Sequence, residues 1–136
     1  LEALLKLLDQ ADVFIVNVRE QSLQRLGLDY ENLKERFPRL IYAQITGYGD
    51  TGPDKDLPAF DTSAFWAATG FINDISLDVP DGLHQPVDTP ASVGDCTTGL
   101  ALYGAVMTAL YARERTGKGT ASPLPCSARR CGSWAT

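Results

Sequence analysis

The chain has 136 residues, 44% of them hydrophobic and 21% charged, with 12 Lys and Arg against 17 Asp and Glu and a net charge of −5. This describes a folded globular chain of one-domain length that can bury a sizeable core, neither disordered nor fibrous. The acidic balance argues against a general nucleic-acid binder, which needs a basic surface to displace counterions, and no apolar run reaches the roughly 18 residues of a membrane span.

In chain order, Leu1, Leu4, Leu5 and Leu8 fall at i, i+3, i+4 and i+7 and predict an amphipathic helix over residues 1–10. Val13 to Val18 (VFIVNV) is a short β-branched run suited to a buried strand. Leu23, Leu26 and Leu28 surround Gly27, as in a helical turn that breaks there. Asp29 can cap a helix carrying Leu33 and Phe37 that Pro38 closes. Leu40 to Thr46 (LIYAQIT) reads as the next strand, so a βαβ unit and a parallel sheet covered by helices are expected.

Residues 47–58 read as loop, and Phe60 to Thr69 can be helical, with Phe65 and Trp66 as its large apolar members. Residues 71–91 are rich in proline and acids and read as a long connection, a kind more often functional than idle. A second helix is expected from about Cys96 to Arg115, with Leu100, Tyr103, Met107 and Leu110 on one face. Gly99 and Gly104 would let another backbone approach it, Arg113 and Arg115 suit its C-terminal dipole, and Gly117 can end it.

The last sixteen residues, 121–136, hold two arginines, two of the three cysteines, Pro123 and Pro125, and no acid. They carry no helix or strand period, which fits either a flexible terminus or a tail foreign to the fold. Cys126 and Cys131 could form half of a metal site, but no second ligand pair accompanies them and His84 is remote, so free thiols are the simpler reading. The odd, irregular cysteine usage points to a reducing, cytoplasmic setting, and no signal-peptide pattern is visible.

Three features carry chemistry. Gly47, Gly49 and Gly52 spell G-x-G-x-x-G after a strand, but Pro53, Asp54, Lys55 and Asp56 follow where a dinucleotide site needs a helix N-terminus. A glycine turn leaving the strand is the expected outcome. Asp95, in Val93-Gly94-Asp95-Cys96-Thr97-Thr98-Gly99, opens a helix. An acid there is commonly a dipole partner or cap, but a carboxylate between glycines can also attack an activated acyl group, helped by nearby backbone N–H groups. Asn17, Arg19 and Arg25 follow the first strand, where parallel sheets bind ligands. They could serve a phosphate-bearing ligand or simply form a solvated loop.

Two long runs, ADVFIVNVREQSLQRLGLDYENLKERFPRLIYAQITGYGDTGP and SVGDCTTGLALYGAVMTALYARERTGKGT, resemble the class III coenzyme A transferases, the CaiB/BaiF family. The resemblance covers residues 1 to about 120. It implies an α/β fold: part of a Rossmann-like large domain with a parallel sheet, ending in a long helix rich in small residues. It implies transfer of coenzyme A from an acyl-CoA donor to a carboxylic acid, with Asp95 as nucleophile through a mixed anhydride and an aspartyl-CoA thioester, and no metal. It carries CoA contacts onto Asn17, Val18, Arg19, Arg25, Pro58, Ala59, Phe60 and Asp61. The strand-end motif departs from the family pattern E-N-F-R-P-G, reading Val-Asn-Val-Arg-Glu-Gln, so Asn17 and Arg25 are the safer transfers.

The family also contains α-methylacyl-CoA racemases, which use a histidine where this chain has Phe60. A phenyl ring exchanges no proton, which favours transferase chemistry. The wording around residues 52–66 looks most like members acting on 2-hydroxyacyl or arylacyl acids. The family's proteins are about three times this length and form interlocked homodimers. The resemblance therefore implies an internal fragment over 1–120, inactive by itself or active only as part of its parent, with a frameshifted or artificial tail over 121–136.

Overall fold

The computed structural model describes residues 1–80, 82, 84–86 and 92–127. Helix α1 (Glu2–Leu8) leads into strand β1 (Val13–Val16), followed by α2 (Glu20–Leu26), α3 (Tyr30–Arg36) and strand β2 (Ile41–Thr46). Strands β1 and β2 are parallel, with Val13 opposite Ile41 and Val16 opposite Gln44, so the expected βαβ unit is present. Helix α2 ends in a Schellman motif: the Leu28 N–H donates to the Leu23 carbonyl and the Gly27 N–H to that of Gln24. Leu23 and Leu28 meet in the same core cluster. Asp29 does stand at the N-cap of α3, but its carboxylate accepts from the Asn32 side chain and makes no side-chain cap to the backbone.

After β2 the chain turns through loop to a wide π-helical segment, Asp61–Ala67, and then to the short helix α4 (Phe71–Asp74). A two-stranded antiparallel pair, β3 (Leu77–Asp78) and β4 (His84–Gln85), lies within the stretch read as a long connection. Helix α5 (Val93–Thr116) runs 24 residues, starting three residues earlier than periodicity suggested and ending at Gly117 with φ +73°.

Strand β5 (Ala121–Pro125) lies in residues 121–136, where the sequence carries no strand period. It pairs parallel to β2, with Tyr42 opposite Ala121 and Thr46 opposite Pro125, giving the sheet order β1-β2-β5. Pro123 and Pro125 hid it, because proline donates nothing to a ladder and reads as a strand breaker. Here both sit on an edge strand of the described sheet, where a missing donor is tolerated. Cys131 lies outside the described residues.

Alternate residues of β2 divide the core between the two sheet faces. Tyr42 packs with Leu8, Val16, Leu23, Leu28, Leu33, Phe37 and Leu40 in the cluster under α1–α3. Ala43 packs with Leu102 and Val106 of α5. Helix α5 thus buries Leu102, Val106, Ala109 and Arg113, while Leu100, Tyr103 and Met107 are exposed and Leu110 is half-buried. The helix is apolar nearly all round, so spacing alone offered two equivalent stripes; its anchoring chooses the second. Gly99 and Gly104 face open space.

Candidate active site

The site lies at the carboxyl ends of β1 and β2 and at the amino end of α5. Two stretches meet there because a glycine leaves room. A Cβ on Gly47, just past β2, would stand 2.1 Å from Ala59 Cβ, so the chain at Ala59 crosses directly over it. Gly49 and Gly52 have φ of +96° and +92° and form turns, and no phosphate-binding helix follows; the G-x-G-x-x-G is a strand exit. Beside it opens a cavity of about 270 Å³.

Of the residues assigned to CoA, Asn17, Val18, Arg19, Pro58 and Ala59 line this cavity. Arg25 is exposed in the last turn of α2 and is absent from the lining, as are Phe60 and Asp61. Sequence reasoning missed Lys55, a second cation in the wall, and Gln44, whose side-chain amide donates to the Val18 carbonyl at 3.4 Å and to Glu20 at 3.2 Å. Gln44 is buried in β2 and fixes the segment after β1 to the central strand. A polar residue within an otherwise apolar strand was the available signal.

Asp95 is exposed at the start of α5. Ser92, the N-cap, makes no side-chain cap, so the free N–H groups of the first turn need other acceptors. Asp61 supplies one: its Oδ1 accepts the Asp95 backbone N–H at 2.8 Å, and its Oδ2 accepts the Trp66 indole N–H at 2.8 Å. The five-residue spacing of Asp61 and Trp66 suits the π-helical turn, whose wide register stacks i on i+5. A Cβ on Gly94 would lie 2.3 Å from Asp61 Oδ1 and from Phe65 Cβ. Gly94 is therefore what permits α5 to seat on the π-helical segment.

Cys126, just past β5, is buried and makes a long S–H···O contact of 4.0 Å to Asp95 Oδ1. Burial, which disfavours the thiolate, pushes its pKa up, with the carboxylates of Asp95 and Asp61 acting the same way and a Thr98 hydrogen bond opposing them. Ligating atoms of Asp61, Asp95 and Cys126 lie within 4.8 Å of one another, but both oxygens of Asp61 already accept N–H donors. Phe60 is 77% exposed and, as a hydrocarbon ring, offers no acid or base.

The sheet-end cavity is lined by both signs of charge, Arg19 and Lys55 with Glu20, Asp50 and Asp56, and Asp95 stands exposed at the start of α5. The chain is 43% identical to the (R)-2-hydroxy-4-methylpentanoate CoA-transferase of Clostridioides difficile over 118 residues, 87% of this chain and 29% of that protein. It is 42% identical to the cinnamoyl-CoA:phenyllactate CoA-transferase of Clostridium sporogenes, covering 84% of this chain and 27% of the relative. The structure superposes on a CaiB/BaiF family protein from Brucella suis with a TM-score of 0.83 at 34% identity, over 98% of this chain and 34% of that one. The chain thus spans less than a third of the length of either curated relative. The model of CoA-transferase family III matches residues 1–122, and the chain belongs to that family.

Proposed function

We propose that residues 1–120 are part of the Rossmann-like large domain of a longer parent enzyme that moves coenzyme A from an acyl-CoA to a carboxylic acid, with Asp95 as its nucleophile. The observation that carries this is the exposed Asp95 carboxylate, whose backbone N–H is fixed by Asp61, two residues along from the cavity-lining Ala59. An Asp95 oxygen attacks the thioester carbonyl, giving an acyl-aspartyl anhydride and free CoA thiolate. The thiolate attacks the aspartyl carbonyl, releasing the donor acid and leaving an aspartyl-CoA thioester. The acceptor carboxylate attacks that thioester and expels the thiolate again. Thiolate attack on the acceptor acyl group then yields the new acyl-CoA and frees Asp95.

In this scheme CoA occupies the cavity, with Asn17, Val18 and Arg19 on one wall and Pro58 and Ala59 on the other. Arg19 and Lys55 suit its phosphates. Arg25, outside the cavity on α2, and Phe60 would contact CoA only from its rim, whereas both carboxylate oxygens of Asp61, which is absent from the lining, are already engaged by N–H donors. The two clostridial relatives are named for 2-hydroxy acids with a branched or aromatic side chain, which supports an acceptor of that kind. The exposed apolar stripe Leu100, Tyr103 and Met107 supports a covering by the rest of the parent or by its interlocked partner in a cytoplasmic homodimer. On composition the tail, 121–136, is read as a non-native end, although Ala121–Pro125 pair with β2 as a third strand.

Asp95→Ala in the parent is expected to abolish exchange between an acyl-CoA and a free acid; retained exchange rejects the nucleophile. The short span relative to the curated relatives favours a second statement, that the 136-residue chain is inactive alone. Mixing the purified chain with donor and acceptor decides it, because turnover there would show the segment to be self-sufficient.

A further inference from the structure

We infer that Asp61 is a positioning residue for Asp95, and that its service to the reaction runs through the backbone of α5 and not through contact with CoA. This rests on the proposal that Asp95 is the nucleophile. Both carboxylate oxygens of Asp61 are committed inward, one to the Asp95 N–H and one to the Trp66 indole, each at 2.8 Å. Trp66 is buried at 5% exposure and packs against Phe65 and Phe71, so the indole is a fixed point of the fold. The chain Trp66–Asp61–Asp95 therefore ties the first turn of α5 to the aromatic cluster of the π-helical segment. Gly94 lets the two approach to this distance, and Asp61 itself is missing from the cavity wall. A carboxylate satisfied in this way acts on Asp95 by fixing where its backbone, and hence its side chain, stands.

The two roles for Asp61 separate in steady-state kinetics of the parent enzyme with an acyl-CoA donor and a free acid. A CoA contact, once removed, raises KM for the acyl-CoA and spares kcat, whereas a lost positioning bond lowers kcat and leaves KM alone. Asp61→Ala is expected to lower kcat by about 100-fold at unchanged KM, the scale of a nucleophile misplaced by about an ångström. Asp61→Asn keeps one acceptor oxygen and should recover about tenfold of that loss. Trp66→Phe frees only the far oxygen and should lower kcat less than Asp61→Ala, again at unchanged KM. A raised KM with normal kcat in Asp61→Ala overturns the inference in favour of a CoA contact. Should Asp61→Ala fail to fold, normal kcat in both Asp61→Asn and Trp66→Phe overturns it equally. An active Asp95→Ala would instead reject the underlying nucleophile, whatever the Asp61 variants do.

Discussion

The two ends of helix α5 are built on opposite plans. At its amino end a glycine seated against Phe65 and a carboxylate from another segment hold Asp95, which is itself exposed. At its carboxyl end a buried arginine reaches back into the sheet. Arg113, 7% exposed, donates to the carbonyls of Asp12 and Arg39 at 3.4 and 3.1 Å and pairs with the Asp12 carboxylate at 2.8 Å. Those two carbonyls precede β1 and β2, so one side chain clamps the helix to the starts of both strands. The lesson is that one element is secured differently at its two ends. A buried cation reaching the strand starts holds the carboxyl end, and at the amino end a close glycine seat and a carboxylate tether leave the Asp95 side chain exposed.

Gly94→Ala should break this contrast most severely. The added methyl collides with Asp61 and Phe65, so it would push α5 off its seat, cost about 1–3 kcal/mol of stability and take most of the exchange activity with it. Thermal unfolding and an exchange assay on the parent enzyme check both parts, and a fully active variant would show that α5 needs no such close seat. Arg113→Ala should act on stability alone, by about 2 kcal/mol for the lost charged hydrogen bonds. Urea unfolding should register that loss while KM and kcat hold under folding conditions; an altered kcat would mean that the two ends are coupled.

Alkaline pH offers a finer comparison of the regions flanking the sheet. Cys126 by the site and Tyr42 under α1–α3 both have pKa values raised by burial above their ordinary 9.0 and 10.0. The unfolded chain loses these protons first, so their contribution is complete below about pH 9 and declines as pH rises beyond it. Tyr42→Phe should flatten part of that decline. Since the Tyr42 hydroxyl is buried with no hydrogen-bond partner among the described residues, the same change should leave stability at pH 7 unaltered or slightly higher. A marked loss at pH 7 would reveal a partner for the hydroxyl.

The sheet's first half was legible because local signals agreed: β-branched runs at β1 and β2, Gly27 and Pro38 as stops, and Gly117 at the end of α5. The orientation of α5 was not, since Leu100-Tyr103-Met107 and Leu102-Val106-Ala109 are equally helical stripes and only tertiary anchoring distinguishes them. Strand β5 was hidden by two prolines whose cost vanishes at an edge. Asp95 stood out between glycines, but its tether to Asp61 spans 34 positions and depends on a π-helical register that no periodicity announces. Gln44 and Cys126 likewise gain their places only when the strands align.

Covalent trapping tests the nucleophile most directly. The parent enzyme, incubated with an acyl-CoA and then treated with hydroxylamine, should yield a peptide in which Asp95 alone carries the hydroxamate, and Asp95→Ala should yield none. A hydroxamate on another carboxylate, or an unmodified Asp95 in an enzyme that still turns over, would contradict the account.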